Sequence, residues 1–511
     1  MADSRLARVA AWAAAVTPAT LPADVRRRAA RLQLSTAAAV RAADLDVGST
    51  LLDGRAGRDG LVATVERSVA RDYDDFGLWG HPGAAAAGAW AASVDTERTL
   101  VATAVGAEVM ARLGTWTMLS PTPAHARAWL TSAGVAAAIA HARGLDARGF
   151  THALALALAN PVELEAHELR SVGARTRRHG DAAGAGFDAV VRARDGELGD
   201  EGLLDGDDGL VGALPTPAPF GRAFEDLDGW ITRSLVHRQQ PLAPWLQTPF
   251  QAFHEILRRH QKAASKRLRA DQVDRIEVRI DHLAWGRARE DASVDGLPDD
   301  GHLPYALPIA IGTLVATHEH GPALFDRALL DANRDAILDV AAKVDLRPDL
   351  GHTLRRVRGL ARALGPLLAD VPVATRLSLA TSIVQKALRG LPSPDRLDLR
   401  GILRDDPVDA LRGLLDPPAE VGAGPVHVPN ATFVRLYTSR GGWWPERRDV
   451  IEGGPEYSAS DLDRDVVAKF GRCVAWKAGA IDATALQGAV TAARRFLDAP
   501  PADGALALLA P

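Results

Sequence analysis

Residues 1–190 of the chain read as a series of helices: Ala-rich segments carry apolar residues three and four apart and are broken by Pro or Gly. That spacing gathers apolar side chains on one helical face, and alanine has the strongest intrinsic helix propensity. The pattern predicts helices over Val25–Val40, Ala84–Ser93, Glu97–Leu113, Leu130–Gly144 and Ala147–Ala159, and hence a mainly α fold. On the third of these, Glu108 and Arg112 are four apart in the order that favours an ion pair on a solvated helix face. The start, MADSRLARVAAWAAAV, has a short apolar run preceded by Asp3 and reads as an amphipathic first helix rather than an export signal.

The pattern changes after about residue 237. VDRIEVRI, Val273–Ile280, alternates apolar and charged residues, and Pro425–Thr438 is β-branched and aromatic-rich, so both predict strands. Helical spacing returns over Ala306–Thr317, Ala323–Lys343 and Leu354–Leu367, which makes this region α+β, and Ser460–Leu497 is helical again. A chain of 511 residues exceeds what one core organises. The expected division is a helical domain over residues 1–236, an α+β domain over 237–450 and a helical return over 451–511. The Gly- and Asp-rich stretch Arg194–Gly212 reads as a loop with a short helix, and Trp443-Trp444 as a packed turn or interface.

Composition narrows the function. With 60 basic and 64 acidic side chains there is no electrostatic footprint for nucleic acid or for a membrane surface. No segment reaches the ~20 strongly apolar residues that span a bilayer. The single cysteine, Cys473, excludes an internal disulfide and any Cys-based metal cluster, and fits a reducing, cytoplasmic compartment. There is no P-loop, Gly-rich dinucleotide turn or Gly-x-Ser-x-Gly elbow, so no cofactor is expected. His318-Glu319-His320 lacks the spacing that puts two metal ligands on one helix face, and no metal is expected. Lysine occurs only at positions 262, 266, 343, 386, 469 and 477, so cationic chemistry falls mainly to arginine, which binds carboxylates bidentately but does not give up its proton.

The densest cluster of reactive side chains is Asp72-Tyr-Asp74-Asp75-Phe-Gly-Leu-Trp-Gly-His81-Pro82-Gly83, running directly into an Ala-rich segment. Carboxylates crowding an imidazole tune it for proton transfer. The same residues also suit acidic capping of a helix N-terminus, which needs no catalysis. Spacing alone leaves both open.

Several segments together resemble the MmgE/PrpD family of 2-methylcitrate dehydratases, cis-aconitate decarboxylases and iminodisuccinate epimerases. They are the acidic turn ending in His81-Pro82-Gly83, the helix GAEVMARLG, the Ala-rich run TSAGVAAAIAHARGLDARGFTHALALALA, and HGDAAGAGFDAVVRARDG. In the second half they are RQQPLAPWLQT, GHLPYALPIAIGTL, PNATFVRLYTSRGG and DLDRDVVAKF, so the resemblance covers roughly residues 20–475. It implies a large all-helical domain with a smaller α+β lid domain, a homodimer, and a cofactor-free, metal-independent lyase reaction beside a carboxylate of a small polycarboxylic acid. Dehydration is the commonest family assignment, with decarboxylation and epimerisation as alternatives. It further implies Asp72, His81, His125 and Tyr305 as catalytic groups, and Arg175, His237, Arg238 and His302 as substrate-binding groups. Departures are plain: Arg175 and either His237 or Arg238 stand where the family carries lysines, Phe76 replaces a threonine, and the turn is one residue shorter. A chain so altered also fits a non-catalytic binder of an anionic metabolite.

Overall fold

The computed structural model describes residues 4–43, 48–77, 80–92, 95–117, 128–159, 171–205, 209–210, 221–225, 227–288, 296–368, 371–377, 430–477 and 483–498. Described residues of Met1–Arg238 and Tyr457–Pro511 form one compact unit, and those of Gln239–Gly422 and Val426–Glu456 a second.

Eight helices open the first unit: α1 (Arg5–Ala15), α2 (Ala23–Ala42), α3 (Gly57–Ala70), α4 (Gly83–Ala91), α5 (Thr96–Trp116), α6 (Ala128–Ala142), α7 (Ala147–Leu158) and α8 (Val172–Arg194). Their starts follow local chemistry. Ser4, Asp95, Asp146 and Ser171 each accept a backbone N–H from the first turn of α1, α5, α7 and α8, satisfying donors that a helix leaves orphaned. Helix α1 is amphipathic, burying Leu6, Val9, Ala10 and Ala13. By contrast, every residue of α4 is buried, as an all-apolar helix requires. Small side chains let these helices approach closely: a Cβ on Gly106 of α5 would lie 2.6 Å from the Gly134 carbonyl oxygen of α6.

The second unit has α9 (Gln247–Ala264), β1 (Val273–Ile280), α10 (His282–Ala288), α11 (Leu307–Thr317), α12 (Arg327–Ala332), α13 (Arg334–Ala342), β2 (Val344–Pro348), α14 (Leu350–Leu368), β3 (Thr432–Thr438) and β4 (Trp443–Arg448). Its sheet runs β2-β1-β3-β4, with β1 and β2 parallel and the other neighbours antiparallel. Ile276 and Val278 of β1 and Val434 and Leu436 of β3 pack with Phe250, Phe253 and Ile256 of α9 in its core. The chain then returns to the first unit through α15 (Ala459–Lys477) and α16 (Ala483–Asp498), with α15 packed along α2.

The mainly helical reading holds, with one small sheet. Three details differ. Trp443 and Trp444 form the start of strand β4, not a turn, because they pair with Tyr437 and Leu436. The helical run expected over Ala323–Lys343 breaks into a 3-10 turn and two short helices, since Asp326 caps a new start at Arg327 by accepting the Leu329 N–H and the chain breaks again at Asn333. Strand β2 was not expected at all. Its five residues end in Pro348, too short and too proline-marked to announce a strand. Among the described residues no helix is long and apolar enough to cross a membrane.

Candidate active site

The first unit contains the acidic turn. It leaves α3 through Asp72, whose φ of 49° is left-handed, a conformation that costs a non-glycine residue roughly 1–2 kcal/mol. The reversal presents three buried carboxylates, each with its own cationic or imidazole partner. Asp72 is ion-paired with Arg238, whose guanidinium also donates to the Asp72 carbonyl oxygen. Asp74 Oδ2 meets His81 Nδ1 at 2.7 Å. Asp75 Oδ2 meets His237 Nδ1 at 2.6 Å, and its other oxygen accepts from Ser35 Oγ at 2.5 Å. None of the three acids caps α4, whose N-cap is Pro82 with no side-chain hydrogen bond. The capping alternative therefore falls away.

A bridge between strand-like residues brings His237 and Arg238 here. The N–H and C=O groups of Phe76 and Val236 exchange hydrogen bonds at 3.2 and 2.9 Å. Upstream lie two single 3-10 turns, Gly221–Phe224 and Ile231–Ser234, which Glu108 and Arg112 of α5 anchor. The pair is buried, not solvated as its spacing suggested. Glu108 accepts from the N–H groups of Ile231 and Thr232 at 2.9 Å each, and Arg112 donates to the carbonyls of Ala223 at 2.8 Å and Gly229 at 2.6 Å. Those backbone groups, left over in or beside 3-10 turns too short to pair them, take side-chain partners instead.

Further groups complete the cluster. Lys469 of α15 donates to Ser35 Oγ at 2.7 Å and to the Tyr73 carbonyl at 2.6 Å, with Nζ 3.7 Å from Asp75 Oδ1. The His179 ring lies edge-on to His81 at 4.7 Å, and its Nδ1 bonds Thr131 Oγ1 at 2.9 Å. Arg175 of α8 donates to the Ala70 carbonyl at 2.9 Å, fastening the end of α3. Phe76 carries the Arg238 guanidinium 5.1 Å from its ring centre.

Burial alone would raise the carboxyls of Asp72 and Asp75, but their partners prevail. Arg238, Arg175 and His81 hold Asp72 below the ordinary carboxylate range, and His237, Lys469 and Ser35 do the same for Asp75. Burial lowers His237 despite the opposing pull of Asp75, which leaves a neutral imidazole donating its Nδ1 proton. Burial also lowers Lys469 and pushes the Cys473 thiol up to about 11, so that thiol is not a nucleophile.

Of the residues expected at a site, Asp72, His81, Arg175, His237 and Arg238 come together in this unit. The two candidates for the second lysine position are both engaged, His237 with Asp75 and Arg238 with Asp72, while Arg175, the candidate for the first, holds the Ala70 carbonyl. His125 lies outside the described residues. His302 and Tyr305 belong to the second unit, where Tyr305 is buried and stacks 5.9 Å from Trp245. Sequence reasoning missed Lys469, Ser35 and His179. Lys469 carried a signal: it sits three and four residues from Val466 and Cys473 on the buried stripe of α15, where a lysine needs a partner.

Among the described residues, the group with a donor set for a metal ion is Asp72, Asp74 and His81, whose ligand atoms lie within 4.8 Å of one another. Arg238 already neutralises Asp72, and His81 engages Asp74, so the guanidinium stands where a metal's charge would act.

Residues 68–223 match the family model of the MmgE/PrpD N-terminal domain, a span containing Asp72, His81, His125 and Arg175. No curated protein matches the chain.

Proposed function

We propose, for a chain whose residues 68–223 are an MmgE/PrpD N-terminal domain, a metal-independent lyase reaction at a carbon next to a carboxylate of a small polycarboxylic acid, with dehydration as the outcome. The observation that carries the reading is the buried Asp74–His81 contact of 2.7 Å. A neutral imidazole that donates a hydrogen bond from Nδ1–H to a carboxylate keeps its lone pair on Nε2, and the carboxylate steadies the imidazolium formed when that lone pair takes a proton. His81 is then the base for the carbon-bound proton, and the neighbouring His179 is an imidazole to which a proton can pass.

The cations Arg175, Arg238 and Lys469 match the carboxylates Asp72, Asp74 and Asp75 one for one, all buried, with Arg28 and Arg31 adding positive charge toward His237. An anionic substrate entering such a site favours protonation of an imidazole, which is the form a general acid needs to help a hydroxide leave. His302 and Tyr305, and the lid role of the second unit, enter this proposal through the resemblance. So does homodimerisation, which light scattering would read as a mass near twice 54.1 kDa.

A second reading, a binder of anionic metabolites without turnover, is favoured by the commitment of Arg238 to Asp72 and of Arg175 to the Ala70 carbonyl. Proton NMR in deuterated water separates the two. Incubation with a panel of di- and tricarboxylates, among them citrate, methylcitrate, cis-aconitate and hydroxysuccinates, should give an unsaturated product from a hydroxy acid, and solvent deuterium should enter the saturated acid, recovered or re-formed by hydration, at the carbon beside a carboxylate. Loss of carbon dioxide or inversion without elimination would redirect the chemistry. Saturable binding with no exchange would establish the binder.

A further inference from the structure

Four fully buried side chains from four parts of the first unit form a directed chain: Lys469 on α15, Ser35 on α2, Asp75 on the acidic turn and His237 after the bridge. Its direction follows from proton counting. An ammonium only donates, so at 2.7 Å Ser35 Oγ accepts from Lys469. The single hydroxyl proton of Ser35 is then directed to Asp75 Oδ1 at 2.5 Å. From the other side His237 Nδ1 donates to Asp75 Oδ2 at 2.6 Å. The carboxylate thus accepts on both oxygens, and its countercharge is Lys469 Nζ, 3.7 Å away.

We infer that Lys469 is a positioning residue which, by supplying the positive charge for Asp75 through Ser35, keeps His237 a neutral imidazole with its proton on Nδ1. One anion in this buried chain calls for one cation. While the ammonium is present, a second cation on His237 would leave this fully buried chain net positive. With the ammonium gone, His237 becomes the group that neutralises Asp75. The surroundings act in the same sense. Arg28 and Arg31 of α2 face His237 and oppose its protonation, and Asp75 favours it. Around Lys469 stand Asp75 and Asp74 from the turn, Cys473 from its own helix and Arg238, so its acidic neighbours outnumber its basic one. The low-lying proton affinities of His237 and Lys469 agree with this arrangement. Through its consequence for turnover the inference rests on the lyase reading, since a neutral His237 and an imidazolium would treat a carboxylate substrate differently.

The test reads His237 directly and needs no substrate. Histidine side chains of the full chain are labelled with nitrogen-15 and titrated, with the His237 signals assigned from the spectrum lost in His237→Gln. In Lys469→Met the proton affinity of His237 should rise at least about tenfold, while Lys469→Arg restores the wild-type curve. An unchanged curve in folded Lys469→Met overturns the inference. Should Lys469→Met fail to fold, the double variant Asp75→Asn with Lys469→Met removes anion and cation together. That variant is expected to fold with a neutral His237, and its failure to do so would also overturn the proposal. Because the unliganded protein is titrated, absence of lyase activity leaves this result standing.

Discussion

Glu108 and Arg112 stand one turn apart on α5, joined at 2.9 Å with both side chains buried, and between them they hold the backbone that leads to His237. Removing one partner strands the other's charge away from water. Glu108→Ala should therefore lower unfolding free energy by about 3–5 kcal/mol in urea denaturation. Arg112→Ala should cost a similar amount, and the double variant less than the sum. Hydrogen exchange should quicken at Ile231 and Thr232. A loss below 1 kcal/mol would mean that the pair does not anchor this segment.

Acid should destabilise the fold in two stages. Folding lowers the proton affinity of His237, so the unfolded chain binds that proton first; stability is full above about pH 6.5 and declines as pH falls towards the folded value. Asp72 and Asp75, also lowered, add a second loss that begins below about pH 4. Thermal melts across this range should show both, and His237→Gln should make the upper one shallower, leaving the part due to His141 and His352, which burial also lowers. A melting temperature independent of pH between 7 and 5 would contradict the neutral His237.

How much of this could be read from the sequence depended on the range of the interaction. Helices α2, α4, α5, α6 and α7 were legible because caps, Ala-rich spacing and Gly or Pro breaks are local signals. The acidic turn was visible as a cluster, but which acid met which base was not: Asp75 finds His237 162 positions away, and Lys469 reaches Ser35 across 434. Glu108 and Arg112 misled for a related reason, because four-residue spacing looks alike on a wet face and a dry one. The strand at Trp443-Trp444 was hidden by the Gly pair before it and by Pro445 within it.

Since Arg238 supplies the charge beside Asp72, chelation should leave turnover unchanged. Arg238→Ala, by contrast, removes the partner of a buried carboxylate and should reduce both stability and activity. Activity lost to chelator and regained with a divalent ion would show that Asp72, Asp74 and His81 take a metal in solution.

The matched charges of the cluster predict that an anionic ligand brings a proton with it. Calorimetry in buffers of different ionisation enthalpy should report net uptake on binding a di- or tricarboxylate, at a pH between about 7 and 8 where free histidine is mostly neutral. Binding with no proton exchanged would place the compensating charge elsewhere.

The central claim is that His81, set by Asp74, removes a proton from carbon. Its most direct measurement is solvent deuterium incorporation into the saturated hydroxy acid, recovered or formed by hydration, comparing the wild-type chain with His81→Asn and Asp74→Asn, each checked for folding. The account predicts incorporation beside a carboxylate in the wild type, a fall of at least about 10²-fold in His81→Asn, and a smaller fall in Asp74→Asn. Incorporation at an undiminished rate in folded His81→Asn would contradict it.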